Sequence, residues 1–128
     1  MIVLDYQDRR PIYEQVTDKF QILILNGVLP PGSQMPSVRQ LATELSVNPN
    51  TIQRAYMELE KMGLIYPVKG RGNFVADSSQ VQKINRESYR KEFTALIQKG
   101  RNTGFNREEL EKMFAEIFEK EDESLTMY

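Results

Sequence analysis

The chain has 128 residues, about one domain's worth. Its 17 basic and 18 acidic residues nearly cancel, so neither a basic nucleic-acid coat nor an acidic disordered chain describes the whole. Without cysteine or histidine it has no disulfide framework, no thiolate or imidazole metal site and no conventional hydrolytic triad.

The first predicted helix starts at Pro11, where a missing N–H costs nothing. Ile12, Val16, Phe20, Leu23 and Ile24 recur at helical spacing until Gly27 stops the run. The most apolar part, Phe20 to Leu25, is broken by Gln21 and is too short to cross a bilayer. Met1-Ile2-Val3-Leu4-Asp5-Tyr6 has neither a basic start nor a cleavage site, so the expected location is cytoplasmic, with no membrane partner. Val28 to Pro36 holds three prolines and a glycine, which exclude helix. Ser37 with Gln40 then reads as a capping box, opening a short helix with the stripe Val38, Leu41, Ala42 and Leu45.

Only Ser46 and Val47 separate that stripe from the next start signal, the cap Asn48 and the first-turn Pro49. Ile52, Ala55, Tyr56, Leu59 and Met62 form the apolar face of a third helix, which Gly63 ends. Tyr56 shares that face with Ile52 and Leu59 and belongs to the core, not to a base stack. Two short helices joined this tightly describe a helix-turn-helix. Leu64–Val68 and Asn73–Val75 read as strands around Lys69-Gly70-Arg71-Gly72, a hairpin, with Pro67 confining its strand to an edge.

Residues 1–76 carry a net charge of +1 and residues 77–128 a net charge of −2, with the polar stretch Asp77-Ser78-Ser79-Gln80 reading as a linker. Beyond it, Val81, Ile84, Phe93, Leu96 and Ile97 predict an amphipathic helix ending at Gly100. Asn106 with Glu109 is a second capping box, ahead of a helix with the face Leu110, Met113, Phe114, Ile117 and Phe118. Fraying is expected from about Glu121 to Tyr128, and the carboxylates Glu116, Glu119, Glu121, Asp122 and Glu123 read as a solvated helix end and not a cation site.

The expected fold is therefore mainly α with a small β-hairpin. An N-terminal winged helix-turn-helix, residues 1–76, is followed by a short two-helix dimerisation tail, residues 77–128. Near the start of the third helix stand Asn48, Asn50, Thr51, Gln53 and Arg54, at the end that meets base edges in helix-turn-helix docking. Asn or Gln suits adenine and Arg suits guanine. Lys69 and Arg71, with Gly70 and Gly72 permitting close backbone approach, suit a minor groove or phosphate. In the tail, Phe93, Leu96, Leu110, Phe114, Ile117 and Phe118 are the expected homodimer face, since two helices cannot bury their own apolar sides.

Pro11-Ile12-Tyr13-Glu14-Gln15-Val16, Pro31-Gly32, Met35-Pro36-Ser37-x-Arg39-x-Leu41-Ala42, Val47-Asn48-Pro49-Asn50-Thr51-Ile52 and Gly70-x-Gly72-x-Phe74-Val75 follow one another in the chain. In this order they resemble the GntR family of bacterial regulators. The short tail is similar to that of the YtrA subfamily, where it serves dimerisation. The resemblance implies a DNA-binding transcriptional regulator, most simply a repressor on an inverted-repeat operator, with no cofactor and no enzymatic activity. It also implies a DNA contact for Arg39. Many members carry arginine where Pro49 and Gln53 stand here, so that readout does not transfer. A tail this short cannot enclose an effector cavity, so an unidentified small effector would bind at a junction. The rival reading is a winged-helix protein-interaction module that never touches DNA.

Overall fold

Local signals set each element of the computed structural model, which describes residues 2–125. Helix α1 (Ile12–Leu25) follows Pro11, which stands at the cap with an extended ψ of 148° and not inside the first turn as the sequence suggests. Helix α2 (Val38–Leu45) is opened by Ser37, whose hydroxyl accepts the Gln40 N–H at 3.1 Å. It closes on Ser46, a left-handed residue with φ 56° that turns the chain directly toward Asn48. The Asn48 side chain accepts the Asn50 N–H at 2.8 Å, and Pro49 is the first residue of helix α3 (Pro49–Lys61). Strands β1 (Ile65–Val68) and β2 (Gly72–Val75) pair antiparallel, Ile65 opposite Val75 and Val68 opposite Gly72. Gln34 bridges to Phe74 on the far side of β2, so β1 with its Pro67 is the free edge, as the missing N–H requires.

The core sits where α1, α2, α3 and the hairpin meet. Val16, Phe20 and Ile24 from α1 pack with Leu41 and Ala42, with Ile52, Ala55, Tyr56 and Leu59, and with Leu64, Ile65 and Val75. Phe20 meets the Tyr56 ring edge-on, centroids 5.9 Å apart. The Tyr56 hydroxyl donates to the Pro36 carbonyl at 2.7 Å and ties the proline-rich loop to α3. The chain is mainly helical with one small antiparallel hairpin, in the order of a winged helix-turn-helix.

Two compact units are present, Ile2–Gln82 and the residues from Lys83 onward. Helix α4 (Ser79–Thr103) starts inside the stretch that reads as a linker, so half of Asp77-Ser78-Ser79-Gln80 is helical. Its first turn belongs to the first unit, where Val81 packs on the core and Gln82 Nε2 donates to the Leu25 carbonyl at 2.5 Å. Gly100 does not end α4. The helix continues to Thr103 and stops at Gly104, φ +108°. At Gly100 a Cβ would stand 3.2 Å from Leu110 Cδ2, so the glycine serves close approach to helix α5 (Arg107–Leu125). The capping box forms in both directions, Asn106 Oδ1 accepting the Glu109 N–H at 2.8 Å and Glu109 Oε1 accepting the Asn106 N–H at 3.1 Å. Helix α5 runs past the expected fraying point at Glu121 to Leu125, and residues 126–128 lie outside the described part.

Candidate nucleic-acid interface

The apolar side of α3 is fixed by the buried Ile52, Ala55 and Leu59, so its opposite side must face water. Asn50, Gln53 and Arg54 occupy that exposed side, while Thr51 is half-buried at its margin. Asn48 lies just before them, and its side-chain oxygen is already used in capping. That cap matters to the site as well as to the helix. It holds the first turn, and with it Asn50, in register.

Arg54 is not a free solvated side chain. Its guanidinium carbon lies 3.8 Å from the centre of the Tyr13 ring on α1, and Nη2 donates to the Tyr13 hydroxyl at 3.2 Å. Tyr13 stood in the sequence only as part of the Pro-Ile-Tyr motif, with no role assigned to it.

At the wing tip Lys69, Gly70, Arg71 and Gly72 are exposed. Gly70 and Gly72 have φ of +77° and +104°, a region side-chain-bearing residues rarely adopt. The Arg71 carbonyl accepts from Gln34 Nε2 at 2.8 Å, and Arg71 N–H donates to Val68 O at 2.9 Å. Gln34 is a second residue that sequence reading passed over. Polar Gln34 next to apolar Met35, among prolines that exclude helix, was the available signal for the short extended segment that lies along β2.

Arg39 is exposed in the first turn of α2. Among the described residues no hydrogen bond or ion pair engages the charged groups of Arg39, Lys69 or Arg71, whereas Arg54 is held by Tyr13. Among the same residues no group of acidic side chains could hold a metal ion, and no helix is long and apolar enough to cross a membrane. In the second unit Phe93, Leu96, Phe114, Ile117 and Phe118 are exposed, whereas Leu110 is half-buried against Gly100.

The family model for bacterial regulatory proteins of the gntR family matches residues 12–75, from the start of α1 to the end of β2. Over 119 residues the chain is 34% identical to the HTH-type transcriptional repressor YtrA of Bacillus subtilis (strain 168), covering 91% of this chain and 92% of that one. A GntR family transcriptional regulator from Listeria monocytogenes superposes with a TM-score of 0.69 at 33% identity, covering 88% of this chain and 98% of its own. AraR(DBD), solved in complex with operator ORR3, superposes with a TM-score of 0.51 at 32% identity, covering 59% of this chain and 92% of its own.

Proposed function

This chain belongs to the gntR family of bacterial regulatory proteins and is a helix-turn-helix transcriptional regulator; from that premise we propose that it is a repressor of the YtrA subfamily, binding an inverted-repeat DNA operator as a homodimer. The observation that carries the proposal is the capped start of α3. There Asn50, Gln53 and Arg54 stand exposed on a helix whose other face is locked into the core.

In helix-turn-helix docking the N-terminal residues of the second helix meet base edges in the major groove. An amide from Asn50 or Gln53 matches adenine, and the Arg54 fork matches guanine. Arg39, Lys69 and Arg71 supply positive charge for phosphates, and Gly70 and Gly72 let the wing backbone come close. In this reading residues 1–76 bind DNA. Residues 77–128 pair the protomers through Phe93, Leu96, Leu110, Phe114, Ile117 and Phe118. Both the YtrA repressor's similarity over nearly the whole chain and AraR's operator-bound fold support it. No side chain is assigned a catalytic step, and an effector would act by changing the spacing of the two DNA-binding units.

Selection of bound duplexes from a random pool tests this directly. The expected result is two inverted half-sites with centres about 34 Å apart, one turn of DNA. No enrichment over the starting pool, or a single unrepeated half-site, would overturn the proposal.

A further inference from the structure

An arginine on the solvent face of a helix ordinarily samples many rotamers, and ordering it costs conformational freedom when it binds. Arg54 has already lost much of that freedom. Its guanidinium carbon lies 3.8 Å from the centre of the Tyr13 ring, and Nη2 donates to the phenolic oxygen at 3.2 Å. The phenolic O–H in turn donates a hydrogen bond to Glu14 Oε1 at 3.2 Å. Cation, hydroxyl and carboxylate form a chain in which each bond polarises the next, so Glu14 makes the Tyr13 oxygen a better acceptor for Arg54. Tyr13 is itself held, half-buried against the core one turn before Thr17, whose hydroxyl donates to the Tyr13 carbonyl at 2.7 Å.

We propose that Tyr13, seated by Glu14, is a positioning residue for base selection by Arg54. The proposal deepens the DNA-reading function above and rests on it. The guanidinium carries five N–H donors in one rigid plane. Tyr13 takes one of them and holds the guanidinium carbon close to its ring, leaving the remaining donors at a set position on α3. Bidentate recognition of guanine requires two such donors presented together. A side chain held in this way meets the base with less freedom left to lose, so the preference for the correct base pair depends on Tyr13 although Tyr13 touches no base.

The test uses the full chain, as wild type, Arg54→Ala, Tyr13→Leu, Tyr13→Phe, Glu14→Gln and the Tyr13→Leu/Arg54→Ala pair. Each is measured against the selected duplex and its single-base-pair variants. Arg54→Ala should flatten preference at one base pair in each half-site. Tyr13→Leu should lower preference at that same base pair by about twofold to fivefold, the range for a lost cation–π contact at an exposed site, and leave other positions unchanged. Added to Arg54→Ala, it should have no further effect there. Tyr13→Phe and Glu14→Gln, which preserve the packing, should give a smaller loss at the same position.

A readout free of DNA is the ¹⁵N relaxation of Arg54 Nε, ordered in wild type and mobile in Tyr13→Leu. Full preference retained in Tyr13→Leu, an equal loss on every duplex, or an Arg54 Nε already mobile in wild type would overturn the positioning role. Arg54→Ala leaving every preference intact would instead overturn base reading by Arg54, whatever the Tyr13 variants do.

Discussion

A phenol that is buried and hydrogen-bonded resists ionisation. Burial, followed by the nearby charge of Glu44, raises the Tyr56 pKa well above the ordinary tyrosine range. Because the folded state holds this proton more tightly than the unfolded state, Tyr56 supports stability fully below about pH 10. That support is lost as pH rises above it. Denaturant midpoints between pH 7 and 11 should therefore fall at the alkaline end. Tyr56→Phe should start lower, having left the Pro36 carbonyl unpaired, and then lose less across the same range. Equal alkaline slopes in the two proteins would show that the fall comes from other groups. At the wing, Lys69 is exposed, and the proposed contact with phosphate would be electrostatic. If about six phosphates are neutralised in the dimer, log K should fall against log salt with a slope near −5. Lys69→Ala should weaken all duplexes alike and make the slope shallower by about two, one contact per protomer. Affinity independent of salt would remove the anchoring role.

At the level of elements, the cap before α3 joins folding to function. Asn48→Ala should cost about 1 kcal/mol in thermal or denaturant unfolding, because the Asn50 N–H loses its acceptor. Asn48→Asp keeps an acceptor and so keeps the stability, but places a carboxylate where DNA phosphates are expected, and should bind the operator more weakly than wild type. A variant that loses neither stability nor affinity would leave Asn48 without either role. These helix starts were legible because a cap is local: Ser37, Asn48 and Asn106 each act within three residues. The helix-turn-helix and hairpin were legible for the same reason, with apolar spacing fixing which faces turn inward. Gly100 misled because a glycine in a periodic run reads as a stop. Its cause is Leu110 on the next helix, a tertiary neighbour that no local pattern displays. The restraint on Arg54 was hidden in the same way, since Tyr13 stands 41 residues earlier in the chain and on another helix.

For the whole molecule, the question is what covers the tail. Phe114, Ile117 and Phe118 are each more than half exposed, at 57%, 56% and 57%, and the two phenyl rings stack with centroids 5.5 Å apart. Phe93 and Leu96 on α4 are exposed at 42% and 64%. A run of large apolar side chains of this kind is a natural contact surface, since soluble monomers rarely leave extended apolar patches in water. In the homodimer proposed above, a second copy of the chain would present the same surface and cover it with two-fold symmetry, the symmetry an inverted-repeat operator needs. Joining two DNA-binding units turns the second half-site contact into an intramolecular event, which can multiply affinity by about 10² to 10⁴. Phe114→Glu or Phe118→Glu would bury an uncompensated charge in that contact and should yield monomers. Since both substitutions lie outside Ile2–Gln82, the core around Phe20 and Tyr56 should keep its structure. Operator affinity should then fall toward that of a single half-site while the base preferences within the half-site persist. Sedimentation velocity and binding measured on the same samples separate the alternatives. Intact dimers with unchanged affinity in both variants would place the pairing surface elsewhere. Monomers that still bind the full operator at wild-type strength would show that dimerisation is not what couples the half-sites.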